Sequence, residues 1–115
     1  MPQVKPKVKL LQYTPVPENL VSMAARLCYS QSDLEALEAR VEQRDQTAFI
    51  KKVTGMGHLS VIEHAAFTFG IEGVSRSFLA QITRHRIASF SVQSQRYVAQ
   101  GGEQGFDYVI PPAIE

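Results

Sequence analysis

The stretch AAFTFGIEGVSRSFLAQITRHR, residues 65–86, combines a strand pattern with a helix pattern. Its first part, Ala65–Glu72, is rich in aromatic and β-branched residues and predicts a strand. Gly73 predicts a turn, and Ser75 is a suitable cap for a helix that we expect to continue to Arg86. The apolar residues after Ser75 recur at helical spacing, which supports this reading.

Toward the N-terminus the same mixture of elements continues. Val4–Thr14 alternates in part and predicts a first strand, which Pro15 and Pro17 end. A helix is predicted from Glu18. The apolar face expected to form its core contact comprises Leu20, Met23, Ala24, Leu27 and Cys28.

A second, longer helix is predicted to begin at Ser32, with Glu35 completing a capping box, and to run through Val53 to Gly55 and Gly57. Tyr97–Val98 and 106–110 are further short strand candidates. Strands and helices joined by short connections favour an α+β fold with a mainly antiparallel sheet and packed helices over a doubly wound sheet.

Size and composition restrict the possible classes of protein. A chain of 115 residues with 44% hydrophobic residues suits one globular domain, residues 1–115. It has no apolar run long enough for a membrane span and no signal-peptide pattern, so we expect a cytoplasmic protein without a membrane partner. The single cysteine, Cys28, fits a reducing compartment, and we expect it to lie in the core.

The charge is unevenly distributed along the chain. The net charge is +1, and residues 33–45 hold five carboxylates against two arginines. From residue 73 to residue 102 there are four arginines, one histidine and no carboxylate. Arginine binds phosphate oxygens bidentately, and the serines and glutamines of this stretch add neutral donors. The stretch therefore predicts a surface that binds phosphate esters.

The last part of this stretch contains the strongest site candidates. Arg84-His85-Arg86 could grip a large anionic ligand, or they could be a solvated helix end that offsets the helix dipole. Ser94 and Arg96 lie two residues apart, so an extended backbone would direct both side chains to one anion. Ser94 lacks a nucleophile-elbow motif, which favours ligand binding over nucleophilic attack.

Two other readings of the sequence are disfavoured. His58, Glu63 and His64 match no metal-ligand spacing, so no metal site is predicted. A nucleic-acid-binding domain would need a more basic chain and more aromatic rings beside the arginines, so no nucleic-acid partner is expected.

The Arg84-His85-Arg86 triplet, followed after seven residues by Ser94, resembles the signature of the flavin-dependent thymidylate synthases. Further segments are similar to that family in order and spacing: ARLCYS at 25–30, GHLSVIEH at 57–64 and FTF at 67–69. The resemblance implies the family's α+β fold and the reductive methylation of dUMP to dTMP. It also implies methylenetetrahydrofolate as carbon donor, FAD as cofactor, NADPH as reductant and a homotetramer.

The resemblance also implies roles for individual residues. Arg84, His85 and Arg86 would contact FAD, with Arg84 reaching dUMP as well, and Ser60 would also bind the flavin nucleotide. His58 would lie near the flavin ring. The dUMP-binding residues would be Gln81, Ser94 and Arg96, with Gln93 between dUMP and flavin. Among all these, the residues expected to act in catalysis are His58, Arg84 and Ser94.

The chain is shorter than the family's members, whose C-terminal half supplies further ligand-binding residues. We therefore expect either a fragment or a shortened form that resembles the N-terminal half of such an enzyme, without the C-terminal half. The alternative function is a catalytically incomplete module that binds flavin or nucleotide.

Overall fold

The computed structural model describes residues 2–98 and 105–114. Two strands and four α-helices are present in this part of the chain, with one 3₁₀ helix at Leu59–His64. The strands are β1 (Lys7–Tyr13) and β2 (Phe67–Glu72). The α-helices are α1 (Pro17–Leu27), α2 (Leu34–Glu42), α3 (Thr47–Gly55) and α4 (Arg76–Ile82).

The two strands form an antiparallel sheet, so the predicted α+β class is confirmed. Both strands were predicted within a few residues of their ends. The Thr14 amide donates to the Ala66 carbonyl at 2.9 Å next to one end of the pair, and Lys7 Nζ lies 3.6 Å from Glu72 Oε1 at the other. The chain divides into two compact units, Leu10–Phe69 and the combination of Met1–Lys9 with Gly70–Glu115. We call them the helical unit and the motif unit.

In the helical unit, α1 packs against α2, α3 and the 3₁₀ helix. The buried apolar residues of this core are Val21, Ala25, Leu37, Val41 and Val53. The predicted contact face of α1 was wrong, because Leu20 and Leu27 remain 41% and 47% exposed. Apolar residues lie on more than one side of α1, so periodicity does not reveal which side its neighbours cover.

Cys28 was predicted to lie in the core, and this was wrong. The residue is exposed and follows the last residue of α1 as its C-cap. Its Sγ donates to the carbonyl of Ala24 at 3.6 Å. The apolar pattern of the sequence extends to Cys28, but α1 ends at Leu27, and the thiol of Cys28 is exposed.

Instead of one long helix after Ser32, the chain forms two. Asp33, not Ser32, caps α2, with Oδ1 accepting from the Ala36 amide at 2.8 Å. The Asp45 carboxylate accepts from the Thr47 hydroxyl at 2.7 Å and from the Thr47 amide at 2.9 Å, and these bonds lower the pKa of Asp45. Gln46, which is buried, donates to the carbonyls of Val41 and Arg44. These local hydrogen bonds compete with a continuous helix and separate α2 from α3.

In the motif unit, the turn after β2 is confirmed, with Gly73 at φ 70°. The strand predicted at Tyr97–Val98 was wrong, because these residues lie in a turn. In the segment predicted as a strand at 106–110, Tyr108 makes a single parallel bridge to Gln3. The Gly101-Gly102 turn predicted between these segments lies outside the described residues.

Candidate functional site

The short helix α4 brings the chain to the arginine-histidine-arginine triplet. Ser75 caps it as predicted, since its Oγ accepts from the Phe78 amide at 3.1 Å. The helix ends at Ile82, and the Arg84 amide then donates to the Gln81 carbonyl at 3.2 Å. The prediction that the helix continues to Arg86 was therefore wrong: Arg84, His85 and Arg86 follow the helix in a turn and an irregular segment. The capped start of α4 fixes Gln81 one turn before Arg84.

We call residues 84–98 the motif loop. Arg76, at the start of α4, contacts this loop at Gln93, seventeen residues later in the chain. Its Nη2 donates to the carbonyl of Gln93 at 3.4 Å. With the Gln95 amide oriented so that its oxygen faces Arg76, that oxygen accepts from Arg76 Nε at 3.1 Å. The guanidinium thus contacts the backbone of the residue before Ser94 and the side chain of the residue after it.

Ser94 and Arg96 form a turn rather than the extended segment that the spacing predicted. The Ser94 Oγ accepts from the backbone amide of Arg96 at 3.1 Å, and the Val98 amide donates to the Ser94 carbonyl at 3.0 Å. A serine hydroxyl that accepts one hydrogen bond still has its own proton to donate. Ser94 can therefore donate to an anion while its position is held by the turn.

The cationic side chains of the motif loop are available to a ligand. Arg84, His85, Arg86 and Arg96 are all exposed. None of their side chains makes a hydrogen bond or an ion pair within residues 2–98 and 105–114. The guanidinium groups thus retain the donors that a phosphate or pyrophosphate would use.

The other two predicted site residues lie in the helical unit, after the end of α3. Gly57 adopts φ 85°, which turns the chain so that the His58 amide donates to the Val53 carbonyl at 3.2 Å. His58 precedes the 3₁₀ helix, and Ser60 lies in its first turn. Both residues line a cavity of about 610 Å³.

We call this space the basic cavity. Four of its lining residues are cationic: Arg26, Arg40, Arg44 and Lys52. Its apolar lining includes Leu37, Val41, Phe49 and Val53. The Arg26 guanidinium lies 3.7 Å from the centre of the Phe49 ring, a distance typical of a cation–π contact.

The sequence reasoning missed Arg76 and the four cations of the basic cavity as functional candidates. Arg76 was noted only as part of the basic stretch, because nothing local indicates a contact with Gln93. A weak signal existed for Arg40 and Arg44, whose four-residue spacing is that of neighbours on a helix surface. In the structure α2 ends at Glu42, so Arg44 follows the helix instead of lying on its surface.

In the described residues, no group of three or more histidine, cysteine or acidic side chains is arranged to hold a metal ion. None of the described helices has the length and apolar character needed to cross a membrane.

Comparison with known proteins relates these residues to one family. A family model described as "Thymidylate synthase complementing protein" matches residues 9–115. The chain belongs to this family. The match extends over both units and includes the basic cavity and the motif loop.

Members of the family with curated names are similar over nearly the whole chain. A flavin-dependent thymidylate synthase of Geobacter sulfurreducens is 52% identical over 108 residues, which are 94% of this chain and 46% of the relative. The enzyme of the same name from Clostridium tetani is 50% identical over 109 residues, 95% of this chain and 43% of the relative. That of Nitratidesulfovibrio vulgaris is 50% identical over 119 residues, 99% of this chain and 47% of the relative. The chain thus spans about half the length of the curated relatives that it matches.

Proposed function

We propose that this chain is a single domain that forms the N-terminal half of a flavin-dependent thymidylate synthase, which converts dUMP to dTMP. The observation that carries the proposal is the motif loop, in which Arg76 holds the Gln93 carbonyl and the exposed Arg96 guanidinium has no partner among the described residues. Membership of a family whose curated relatives are named for this activity supports it. Further parts of the proposal are methylenetetrahydrofolate as carbon donor, NADPH as reductant, a homotetramer and a cytoplasmic location.

For dUMP we propose a phosphate site on the motif loop. Arg96 supplies a two-pronged donor, and the Ser94 hydroxyl donates to a further phosphate oxygen. Gln81 and Arg84 contribute to the same nucleotide from the end of α4. We propose that Gln93 lies between nucleotide and flavin, because Arg76 holds its backbone carbonyl and leaves its side-chain amide free for a ligand.

The residues present fit FAD as well. Its pyrophosphate is a dianion, and the donors proposed for it are the exposed side chains of Arg84, His85 and Arg86, which have no carboxylate partner in the described chain. Ser60 would donate a further hydrogen bond from the first turn of the 3₁₀ helix. When bound, FAD supplies the hydride transfer that no side chain can perform.

In this scheme the chain's own residues bind and orient the reactants. Arg84 and Ser94 fix the nucleotide that is to be methylated, and their donors stabilise negative charge during the reaction. His58 orients the group bound beside it, since its ring nitrogens can donate or accept a hydrogen bond. Arg84, Ser94 and His58 are therefore the proposed catalytic residues.

The direct test of the phosphate site is a calorimetric titration with dUMP. Arg96→Ala should weaken binding by about 1.5–3 kcal/mol, the scale for hydrogen bonds to a charged group. Arg96→Lys keeps the charge but loses the fork, and should recover only part of this affinity. Lys9→Ala, which removes one positive charge from β1, is the control and should bind dUMP like the parent. Equal affinity of Arg96→Ala and Lys9→Ala would exclude the proposed role of Arg96.

A second candidate is a catalytically incomplete module that binds flavin or nucleotide, and the chain's coverage of about half of its relatives favours considering it. Flavin reduction and formation of dTMP separate the two. A complete enzyme should purify with flavin absorbance that NADPH bleaches, faster when dUMP is present. A protein that binds dUMP but produces no dTMP with all reactants supplied would support the incomplete module.

A further inference from the structure

In the helical unit, the sheet carries apolar side chains that the described chain leaves largely uncovered. None of the buried residues of the described chain belongs to β1 or β2, because the helices of this unit bury their core against one another. Four large apolar side chains on the two strands are more than half exposed, and we call them the apolar patch: Leu11, Tyr13, Phe67 and Phe69.

The apolar patch occupies one face of the sheet. Next to it, the Thr14 amide donates to the Ala66 carbonyl, and the Thr14 hydroxyl accepts from the Ala66 amide at 2.9 Å. Counting from this pair along two antiparallel strands places Tyr13 opposite Phe67, with both side chains on the same side. The other two patch residues lie two positions further along each strand, and alternate residues of a strand share a face. The four side chains are therefore neighbours.

The size and chemistry of the apolar patch are those of an interaction surface. An aromatic side chain covers about 150–250 Å², so these four half-exposed side chains present on the order of 400 Å² of mainly apolar surface. Soluble proteins rarely leave a larger contiguous apolar patch exposed unless another molecule covers it. The patch contains no charged side chain, so it does not fit a phosphate or another small anion.

The strands that carry the patch also have open edges. Among the described residues, β1 and β2 form a sheet of two strands, so each has one neighbour and one unpaired edge. A sheet of two strands is only marginally stable in water unless further strands or a helix pack on it. An added strand would pair with an open edge, and its side chains would extend the apolar face. An extended polypeptide segment fits both features.

The comparison with relatives indicates the source of such a segment. The matched residues 9–115 include the whole apolar patch. The Geobacter sulfurreducens enzyme aligns with 94% of this chain, but the alignment takes in only 46% of that enzyme. More than half of that enzyme therefore has no counterpart in these 115 residues and is available to cover the patch.

We propose that the apolar patch and the adjoining strand edge bind a polypeptide equivalent to this remaining half. The two halves associate through this surface without a covalent link, and the bound half covers the four side chains and extends the sheet. The inference rests on the proposed function, in which this chain supplies the N-terminal half of the enzyme. It uses none of the residues to which that function assigns a ligand.

Co-expression of two polypeptides tests the proposal. Residues 1–115 carry an affinity tag, and the C-terminal half of the Geobacter sulfurreducens enzyme is untagged. The tagged chain should retain the other half as an equimolar complex, whose dissociation on dilution is followed by sedimentation velocity. Leu11→Lys should weaken the complex about ten- to a hundredfold, the effect of losing one buried leucine side chain. Leu34→Lys is the matched control, because Leu34 on α2 is 57% exposed and Leu11 is 58% exposed. It should bind like the parent.

A chimera gives a second measurement and decides the case in which the separate half is insoluble. Residues 1–115 are fused to the same C-terminal half, and unfolding in urea is followed by circular dichroism. In the chimera, Leu11→Lys should lower the unfolding midpoint more than Leu34→Lys does. In the 115-residue chain the two variants should unfold alike, because both leucines are exposed there.

Three results would overturn the proposal. They are a soluble C-terminal half that the parent does not retain, equal behaviour of Leu11→Lys and Leu34→Lys in the complex or the chimera, and a dimer of the parent that Leu11→Lys dissociates. The last result would show that a second copy of this chain covers the patch. Arg96→Ala should retain the C-terminal half like the parent while losing affinity for dUMP. Failure of the docking surface is therefore distinguishable from failure of the proposed function.

Discussion

Replacing Gly73 with alanine tests the close approach of Lys5 to the turn after β2. At φ 70° an alanine would adopt a left-handed backbone, which costs about 1–2 kcal/mol. A Cβ added at Gly73 would also come within 2.2 Å of the Lys5 carbonyl oxygen and 2.9 Å of its carbonyl carbon. These atoms belong to backbone, so they cannot rotate away, and overpacking of this kind costs about 1–3 kcal/mol more. We therefore expect Gly73→Ala to lower the free energy of unfolding by about 2–5 kcal/mol, a large part of the 5–15 kcal/mol typical of a domain.

Alanine variants of two other glycines distinguish the cost of the left-handed backbone from the cost of the steric clash. Gly57 has φ 85° but no atom near an added Cβ, so Gly57→Ala should cost only the backbone term of about 1–2 kcal/mol. Gly55 is the last residue of α3 and is also unobstructed, so Gly55→Ala should stabilise the protein by up to about 1 kcal/mol. Urea unfolding followed by helix circular dichroism measures all three, and it suits a chain without tryptophan. If Gly73→Ala were no less stable than Gly57→Ala, the close approach of Lys5 to the turn would be refuted.

Three further predictions concern single contacts. The Ser22 hydroxyl is fully buried without a hydrogen-bond partner in the described chain, so Ser22→Ala should raise stability by about 1 kcal/mol in thermal unfolding; a destabilised variant would show that the hydroxyl is satisfied. The Thr47 hydroxyl and amide hold the folded pKa of Asp45 below its ordinary value of 3.8. The stabilisation from these two hydrogen bonds is present above pH 3.8 and is lost as the pH falls through the lower pKa of the folded state. Asp45→Asn should therefore melt at a lower temperature than the parent at pH 7, with the gap closing in strong acid, whereas a gap independent of pH would contradict the charge effect. Arg76→Ala should weaken dUMP binding less than Arg96→Ala, because Arg76 acts by holding Gln93 and Gln95 rather than by contacting the nucleotide; equal losses in a calorimetric titration would instead indicate that Arg76 contacts the nucleotide.

The elements that local sequence patterns determine were predicted well. Both strands and the start of α4 depend on alternation, on a glycine turn and on the Ser75 cap, and each acts within a few residues. The break between α2 and α3 depends on side-chain bonds from Asp45 and Gln46, which helix periodicity does not reveal. Which face of α1 is buried was also unpredictable, because the choice is made by packing against α2, α3 and the 3₁₀ helix.

For the site, sequence identified the residue types but not their arrangement. The triplet was placed on a helix, yet the chain leaves the helix at Ile82, and the extended segment expected at Ser94 is a turn. Arg76 contacts Gln93 across seventeen residues, and no spacing rule predicts a loop contact of that length. The basic cavity was missed for a similar reason, since its cations come from three helices and from the connection between α2 and α3, and become neighbours only through packing.

The central claim is that the motif loop binds the phosphate of a pyrimidine nucleotide, and a crystal structure of the protein with dUMP and FAD tests it most directly. We expect the nucleotide phosphate within hydrogen-bond distance of the Arg96 guanidinium and the Ser94 hydroxyl. An ordered dUMP bound elsewhere, with Arg96 extended into solvent, would contradict it.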